Sequence, residues 1–293
     1  MIRRTLTLLA ALSLGTAASA KMTWADLFGR TKPSPDRTLS YGADPLQHVD
    51  LWLPRGKGPF PVVLMVHGGC WQTDVATADI MNWIAGDLRS RGIAVWNVEY
   101  RGEDRPGGGY PGTFRDVSAA ADLLRKQGGH YHLRTNRVVA VGHSAGGHLA
   151  LWLAARPGLP AGSPLRTGHP LAIAATFSLG GLPDLRAAAT SPGDTCGADA
   201  VPRLVGSPLP ERPDVYADTS PARLPQPTGA VTLVNGGLDP IAPPAFAAAY
   251  TTHAPRARLR VVPNQGHVEL ITPDTPAWTE TEALIETALG IER

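Results

Sequence analysis

Residues 137–154 read RVVAVGHSAGGHLALWLA, and this stretch decides the fold. It begins with a short apolar run, passes through Gly142-His143-Ser144-Ala145-Gly146, and ends in residues that favour a helix. The pattern predicts a strand, a sharp turn and a helix in direct succession. Glycines on both sides of Ser144 let strand and helix approach closely, because glycine has no Cβ atom. Ser144 is therefore predicted to stand at the turn, with its hydroxyl exposed above a sheet.

Other apolar runs of similar length lack the alternation of a half-buried strand. Such runs are typical of strands buried on both faces of a parallel sheet. Segments 79–91 and 114–126 have helical spacing, with Asp116 as a residue of the helix start, so the chain predicts an α/β fold with a mainly parallel sheet. The runs are 61–66, 93–98, 138–141, 171–177, 230–234 and 259–262, and the segments 38–41 and 48–53 predict antiparallel edge strands.

The first twenty residues have a composition of their own. Arg3 and Arg4 precede an apolar run over 6–14 and the small residues Ala18-Ser19-Ala20, which predicts a cleavable export signal. The apolar run is shorter than the roughly 20 residues of a membrane-spanning helix. We therefore expect an exported, periplasmic or secreted domain over 21–293 without stable membrane insertion; general or twin-arginine export both remain open.

The formal net charge gives little information about binding partners. The formal net charge of +2 falls to zero when residues 1–20 are removed, and no Lys/Arg run marks a nucleic-acid surface. A small neutral substrate fits this composition better than a polyanion. The histidines show no metal-ligand spacing, so no metal or cofactor is predicted. The oligomeric state stays open.

A second glycine-rich motif, His67-Gly68-Gly69-Cys70-Trp71, directly follows the run 61–66. Glycines let backbone N–H groups turn toward one oxygen, and each such donor contributes roughly 3 kcal/mol to an anionic transition state. The amides of Gly69, Cys70 and Ala145 are the predicted oxyanion hole. His67 is expected to brace its own loop.

A serine hydroxyl needs a histidine that takes its proton and a carboxylate that orients that histidine. Asp239 follows the run 230–234, and His267 follows 259–262, so the order Ser, Asp, His matches this fold. Asp184 is a rival acid, and Glu269 is a candidate for a supporting role.

Residues 181–228 interrupt the alternation of predicted strands and helices. They contain nine prolines, which predicts an irregular insertion. Long insertions of this kind are often lids or binding loops, although a solvated connection is the alternative. Trp71 and Tyr110 are candidates to line the substrate pocket, and packing is the alternative for both.

The two cysteines, Cys70 and Cys196, leave two states open. Export to an oxidising compartment favours a disulfide, whereas two buried thiols are the other possibility.

The sequence resembles the α/β-hydrolases of the esterase/lipase type, hormone-sensitive-lipase-like or feruloyl-esterase-like, over nearly the whole predicted domain. His67-Gly68-Gly69, residues 142–147, Asp239 and His267 carry the resemblance. His-Gly-Gly-x-Trp together with Gly-His-Ser-Ala-Gly is also similar to the kynurenine formamidase branch. Cys70 departs from the pattern, since many relatives carry a third glycine or an aromatic residue there.

The resemblance implies a serine carboxylesterase that cleaves a small or medium ester through an acyl-enzyme, with Ser144, His267 and Asp239 as its triad. Arylformamidase action on an N-formylkynurenine-type amide is the first alternative. A non-catalytic binding protein on the same fold is a remote one, because fold does not dictate function.

Overall fold

The structure is a computed structural model that describes residues 21–190 and 196–291, so the predicted signal over 1–20 lies outside the described residues. Eight strands build one central sheet in this part of the chain. They are β1 (Arg37–Ser40), β2 (His48–Trp52), β3 (Val62–Val66), β4 (Ala94–Val98), β5 (Val138–His143), β6 (Ile173–Leu179), β7 (Ala230–Gly236) and β8 (Arg258–Val262).

Helices cover both faces of this sheet. They are α1 (Trp24–Phe28), α2 (Asn82–Ser90), α3 (Gly109–Gln127), α4 (Ala145–Ala155), α5 (Leu185–Thr190), α6 (Ala200–Val205), α7 (Pro244–His253) and α8 (Pro276–Leu289), with short 3-10 turns at Ala78–Met81, Arg156–Gly158, Pro221–Arg223 and Glu269–Ile271. Within the described ranges, no helix combines the length and the apolar composition needed to cross a bilayer.

The strand order is β1-β2-β4-β3-β5-β6-β7-β8. β1 pairs antiparallel with β2 and β2 with β4, and every later neighbour pairs in parallel. This confirms the predicted α/β class, with a mainly parallel sheet and an antiparallel edge. The carboxyl ends of the parallel strands share one edge, where ligand sites of open α/β sheets form.

The unbroken apolar runs follow from burial on both faces of the sheet. In β3, Val62, Leu64 and Val66 pack into the core layer under α3 and α4, whereas Val63 and Met65 pack into the opposite layer under α2 and α8. Because side chains alternate across a strand, a strand covered on both faces has no solvent side to leave polar. The central strands therefore have no polar alternation.

Asp116 is not at a helix start, which corrects the prediction made for it. α3 begins seven residues earlier, at Gly109, so the carboxylate lies inside the helix and is 1% exposed. Its two oxygens accept from the Arg101 guanidinium, at 2.8 Å from Nε and 2.8 Å from Nη2. A buried carboxylate needs such a partner, so Asp116 ties α3 to the loop after β4.

The insertion over 181–228 includes short helices that its composition does not predict. Its described residues form α5, α6 and the Pro221–Arg223 turn. Apolar side chains from this segment join the core layer under α3 and α4; they include Leu182, Leu185, Val201, Leu204, Val205 and Leu224. Most of the described segment lacks regular secondary structure, as its composition predicts, but it packs onto the domain core through its short helices.

A disulfide joins Cys70 to Cys196, with 5.2 Å between the two Cα atoms. Of the two states left open by the sequence, the structure contains the bridge. It fixes the insertion to the glycine-rich loop after β3, across a sequence separation of 126 residues.

The bridge is expected to stabilise the fold. Closing a loop of this length limits the unfolded chain, so Cys70→Ser/Cys196→Ser should unfold at lower urea, with a loss of about 2 to 4 kcal/mol. Protein produced in an oxidising compartment should show no titratable thiol when denatured without reductant. Two titratable thiols there, or equal stability of variant and wild type, would contradict the bridge.

Candidate active site

Ser144 stands between β5 and α4 in a backbone conformation that non-glycine residues rarely adopt, φ 54° and ψ −121°. The close approach of strand and helix explains it. A Cβ atom at Gly142 would lie 2.0 Å from the carbonyl oxygen of Gly146, and one at Gly146 would lie 2.1 Å from that of Val66. Only glycine fits at either position, so the two glycines fix the turn on which the serine is presented.

The helix begins directly after the serine. The carbonyl oxygen of Ser144 accepts from the N–H of Gly147 at 2.8 Å, which closes the first turn of α4. The first N–H groups of a helix lack partners within the helix and carry partial positive charge. The N-terminus of α4, with Ala145 as its first residue, therefore offers donors and a favourable dipole for negative charge beside Ser144.

His267 and Asp239 meet at the same edge of the sheet, although they come from the loops after β8 and β7. Nδ1 of His267 lies 2.6 Å from Oδ2 of Asp239, and both side chains are buried. The other carboxylate oxygen accepts from the backbone N–H groups of Ile241 at 2.9 Å and Ala242 at 3.0 Å. Because the carboxylate holds Nδ1–H, Nε2 of His267 is the nitrogen left to take a proton.

The rival acid lies elsewhere. Oδ1 of Asp184 accepts from the N–H groups of Arg186 at 2.9 Å and Ala187 at 3.3 Å, at the start of α5. These bonds are those of a helix-capping side chain. The carboxylate bonded to the ring of His267 is that of Asp239.

This difference gives a matched test. Asp239→Asn should lower kcat for ester hydrolysis by about 10³- to 10⁴-fold, because an amide no longer holds the histidine tautomer that accepts the serine proton. Asp184→Asn, the same chemical change at a helix cap, should keep kcat within about twofold. Steady-state kinetics of both variants check this, and a large loss in Asp184→Asn alone would reverse the assignment.

The loop after β3 has an unusual backbone. Gly69, Cys70 and Trp71 have φ values of 101°, 56° and 58°, three consecutive residues in the left-handed region. Such a conformation costs a non-glycine residue of order 1–3 kcal/mol and persists where the surroundings enforce it. Here the disulfide holds Cys70, and the Asp104 carboxylate accepts from the N–H groups just beyond, Thr73 at 2.8 Å and Asp74 at 2.9 Å.

His67 lies beneath this loop and is fixed by a buried carboxylate. Its Nε2 lies 3.0 Å from Oε1 of Glu99, and its ring stacks on Tyr100 with 4.3 Å between centroids. Burial alone would raise the pKa of Glu99. The charge of His67, its hydrogen bond and the N–H groups of Ala78 and Tyr100 outweigh burial and hold that pKa below its ordinary value.

The lowered pKa of Glu99 predicts the pH dependence of stability. The folded state binds fewer protons than the unfolded chain below about pH 5, so the contribution of Glu99 is complete above its ordinary pKa of 4.5 and is lost as the pH falls further. Glu99→Gln should therefore destabilise the protein more at pH 7 than at pH 3.5 in urea unfolding. An equal loss at both pH values would show that the charge of Glu99 is not what holds the loop.

Trp71, a candidate pocket residue, is fully buried. Its Nε1 donates to Nδ1 of His148 at 3.1 Å, and Nε2 of His148 bonds the carbonyl oxygen of Thr219 in the insertion at 2.8 Å. Burial lowers the pKa of His148 to about 4, so the ring is neutral at pH 7. The indole therefore packs inside the domain, as the alternative prediction had it, and presents no surface to a substrate.

Tyr110, the other candidate, is partly exposed at the start of α3. Its hydroxyl donates to Oδ2 of Asp218 at 3.1 Å, and the Arg212 guanidinium lies 3.5 Å from the ring centroid. Both partners belong to the insertion. Tyr110 thus joins α3 to the insertion, and a contact with substrate remains a prediction.

His143 connects the serine strand to the histidine loop. Its Nε2 bonds the carbonyl oxygen of His267 at 3.1 Å, and the two rings lie 4.3 Å apart. Burial, with the charge of His267 as a smaller cause, holds the pKa of His143 well below its ordinary value, so its ring is neutral. Across the described ranges, no three or more His, Cys, Asp or Glu side chains are grouped to hold a metal ion.

Residues 21–29, here called the N-terminal strap, also reach the histidine loop. The carboxylate of Glu269 accepts from the N–H of Met22 at 2.7 Å and from that of Gly266 at 3.0 Å. The centroid of the Trp24 ring lies 6.3 Å from the ring centroids of both His143 and His267, in edge-to-face geometry. Sequence reasoning missed the strap; its one local signal is the capping box of Thr23 and Asp26 at the start of α1.

Comparisons with known proteins agree with this architecture. A carbohydrate esterase from gut microbiota superposes with a TM-score of 0.71 at 18% identity, over 89% of this chain and 100% of that one. Esterase B from Lactobacillus rhamnosis gives 0.69 at 18%, over 89% and 88%. A bacterial heroin esterase gives 0.63 at 24%, over 88% and 84%. No curated protein sequence is similar enough to count as a match.

A strand-serine-helix turn on a mainly parallel sheet, with Asp and His loops at the same edge, defines an α/β-hydrolase fold. The BD-FAE family model matches residues 49–252. The chain belongs to the BD-FAE family, and this confirms the predicted α/β-hydrolase relationship. The similarity to the kynurenine formamidase branch remains a prediction.

Proposed function

We propose that the protein is a serine hydrolase that cleaves a carboxylic ester of a small or medium substrate. The hydrogen bond of 2.6 Å between His267 and Asp239, at the sheet edge where Ser144 is presented, is the observation that carries this proposal. A buried His–carboxylate pair beside a strained serine is the arrangement that activates a hydroxyl. The esterases of similar fold described above support an ester as the substrate.

In the proposed reaction, Oγ of Ser144 attacks the ester carbonyl while Nε2 of His267 takes its proton. The tetrahedral intermediate collapses when His267 passes that proton to the alcohol oxygen, and the alcohol leaves. Water then attacks the acyl-enzyme with His267 again as the base, which releases the acid and restores Ser144. Asp239 stabilises the imidazolium that forms in both halves.

The negative oxygen of each intermediate is assigned to the amides of Gly69, Cys70 and Ala145. The left-handed backbone at Gly69 and Cys70 and the start of α4 at Ala145 support this assignment. Each donor contributes about 3 kcal/mol, because it is already oriented when the charge develops. The disulfide would then hold one of these donors in place, so the departure at Cys70 from the commoner residues has a structural function.

We also propose that residues 1–20 direct export and that 21–293 form one hydrolase domain, with 181–228 as its cap. The disulfide supports an oxidising compartment, since such bridges are rare in the cytosol of most organisms. The contacts of Tyr110 and His148 with the insertion support a cap that packs on the domain.

The proposal is tested on Ser144. Ser144→Ala should lower hydrolysis of 4-nitrophenyl acetate by at least about 10³-fold with its melting temperature retained, because no other hydroxyl stands on the turn. Ser207→Ala, an exposed serine in the insertion, is the matched control and should keep wild-type turnover. Wild-type-like turnover by Ser144→Ala would overturn the mechanism. Parallel rates on N-formylkynurenine would decide whether the formamide alternative replaces the ester.

A further inference from the structure

A groove of about 370 Å³ lies between the N-terminal strap and the segment that follows the glycine-rich loop. A cavity of roughly 150 Å³ already holds a benzene ring, so this groove has room for one substituted ring. We call it the aromatic groove. Its lining includes Phe28, Lys32, Val75, Ala76, Asp79, Ile80 and Trp83.

Two large apolar side chains of the groove lining are exposed. Phe28 is 56% exposed and Val75 is 59% exposed, while Ile80 and Trp83 are buried. Exposed apolar surface that converges on one concavity is typical of a binding site, whereas isolated exposed residues need no explanation. The exposure of both side chains in one groove therefore points to a ligand that covers them.

The aromatic groove adjoins elements of the candidate active site on two sides. On one side, Phe28 stacks on Trp24 with centroids 6.0 Å apart, and Trp24 contacts the ring of His267. On the other, a Cβ atom placed at Gly69 would lie 2.7 Å from Cβ of Ala76, so the groove wall touches the proposed oxyanion loop. The groove therefore lies beside the two loops that carry His267 and the proposed oxyanion donors.

The charges in the lining cancel. Lys32 and Asp79 form an ion pair with each other, and the Lys32 ammonium also lies 5.6 Å from the Trp83 ring centroid. Neither charge is left over for a ligand. The aromatic groove therefore suits a neutral apolar group, and the exposed ring of Phe28 suits a flat one.

We propose that the aromatic groove binds a flat, apolar ring in the alcohol part of the ester. This inference rests on the proposed function. His267 delivers its proton to the alcohol oxygen, so the alcohol leaves on the side of His267. The rings of Trp24, Phe28 and Trp83 contact one another in series between His267 and the groove.

The test compares two esters that share an acetyl group, 2-phenylethyl acetate and ethyl acetate. The kcat/KM for 2-phenylethyl acetate divided by that for ethyl acetate measures the effect of a ring on the alcohol side. Phe28→Ser and Val75→Ser should each lower this ratio by about 5- to 20-fold, because they remove apolar walls from the ring. Phe28→Trp, which keeps an aromatic wall, should retain it.

Val261→Ser is the matched control. Val261 is also an exposed valine, at 45%, but it lies on β8 and does not line the groove. It should leave the ratio at the wild-type value. Thermal melting of each variant checks that the fold is kept. Exposed positions such as these tolerate substitution with little change in stability.

The outcomes separate the two proposals. An unchanged ratio in Phe28→Ser and Val75→Ser, in protein that still hydrolyses both acetates, overturns the groove and leaves the esterase standing. A loss confined to ethyl 3-phenylpropanoate, which carries its ring on the acyl side, overturns the assignment to the alcohol. Wild-type protein that hydrolyses none of the three esters overturns the proposed function together with the groove.

Discussion

The geometry of the candidate active site follows from the close approach of α4 to β5 at Gly142 and to the end of β3 at Gly146. An added methyl group at either glycine would overlap a backbone oxygen about 2 Å away. The chain can turn there only through the left-handed conformation of Ser144. That turn places Ser144 at the sheet edge, directly before the start of α4, so the proposed nucleophile and the proposed anion site lie side by side.

The loops around that point are fixed by interactions of different kinds. The disulfide ties the loop after β3 to the insertion, and buried pairs such as His67 with Glu99 hold the loop from below. Glu269 joins the N-terminal strap to the histidine loop through two backbone N–H groups. A buried carboxylate becomes less stable when one of the donors that it accepts from moves away. Each of these loops is therefore restrained by the loops that it is hydrogen-bonded to.

The sequence predicted what depends on local pattern. The apolar runs form β3 to β8, because strands buried on both faces have an apolar composition. The alternating segments form the antiparallel edge, and the residues after Ser144 form α4. The pairing of His267 with Asp239, and not with Asp184, depends on which strand ends are neighbours in the sheet. Chain order suggested it, but local pattern alone left both acids open.

Other structural features are weakly or wrongly indicated by the local sequence pattern. The proline-rich composition of 181–228 gives no sign of its two short helices. Their apolar residues pack into the core layer under α3 and α4. Asp116 is a residue type common at helix starts, yet its place is set by Arg101, which lies 15 residues earlier in the chain. α1 is only five residues long, and the N-terminal strap that contains it is held by contacts with loops more than two hundred residues away, such as that of Glu269 with Met22. Long-range contacts of this kind leave no periodicity to read.

The claim that Ser144 is the nucleophile activated by His267 and Asp239 is tested most directly by where a covalent inhibitor attaches. The native protein is treated with a fluorophosphonate, digested and mapped by peptide mass spectrometry. We expect a single phosphonyl adduct, on Ser144. An adduct on any other residue, or no adduct on protein that hydrolyses esters, would contradict it.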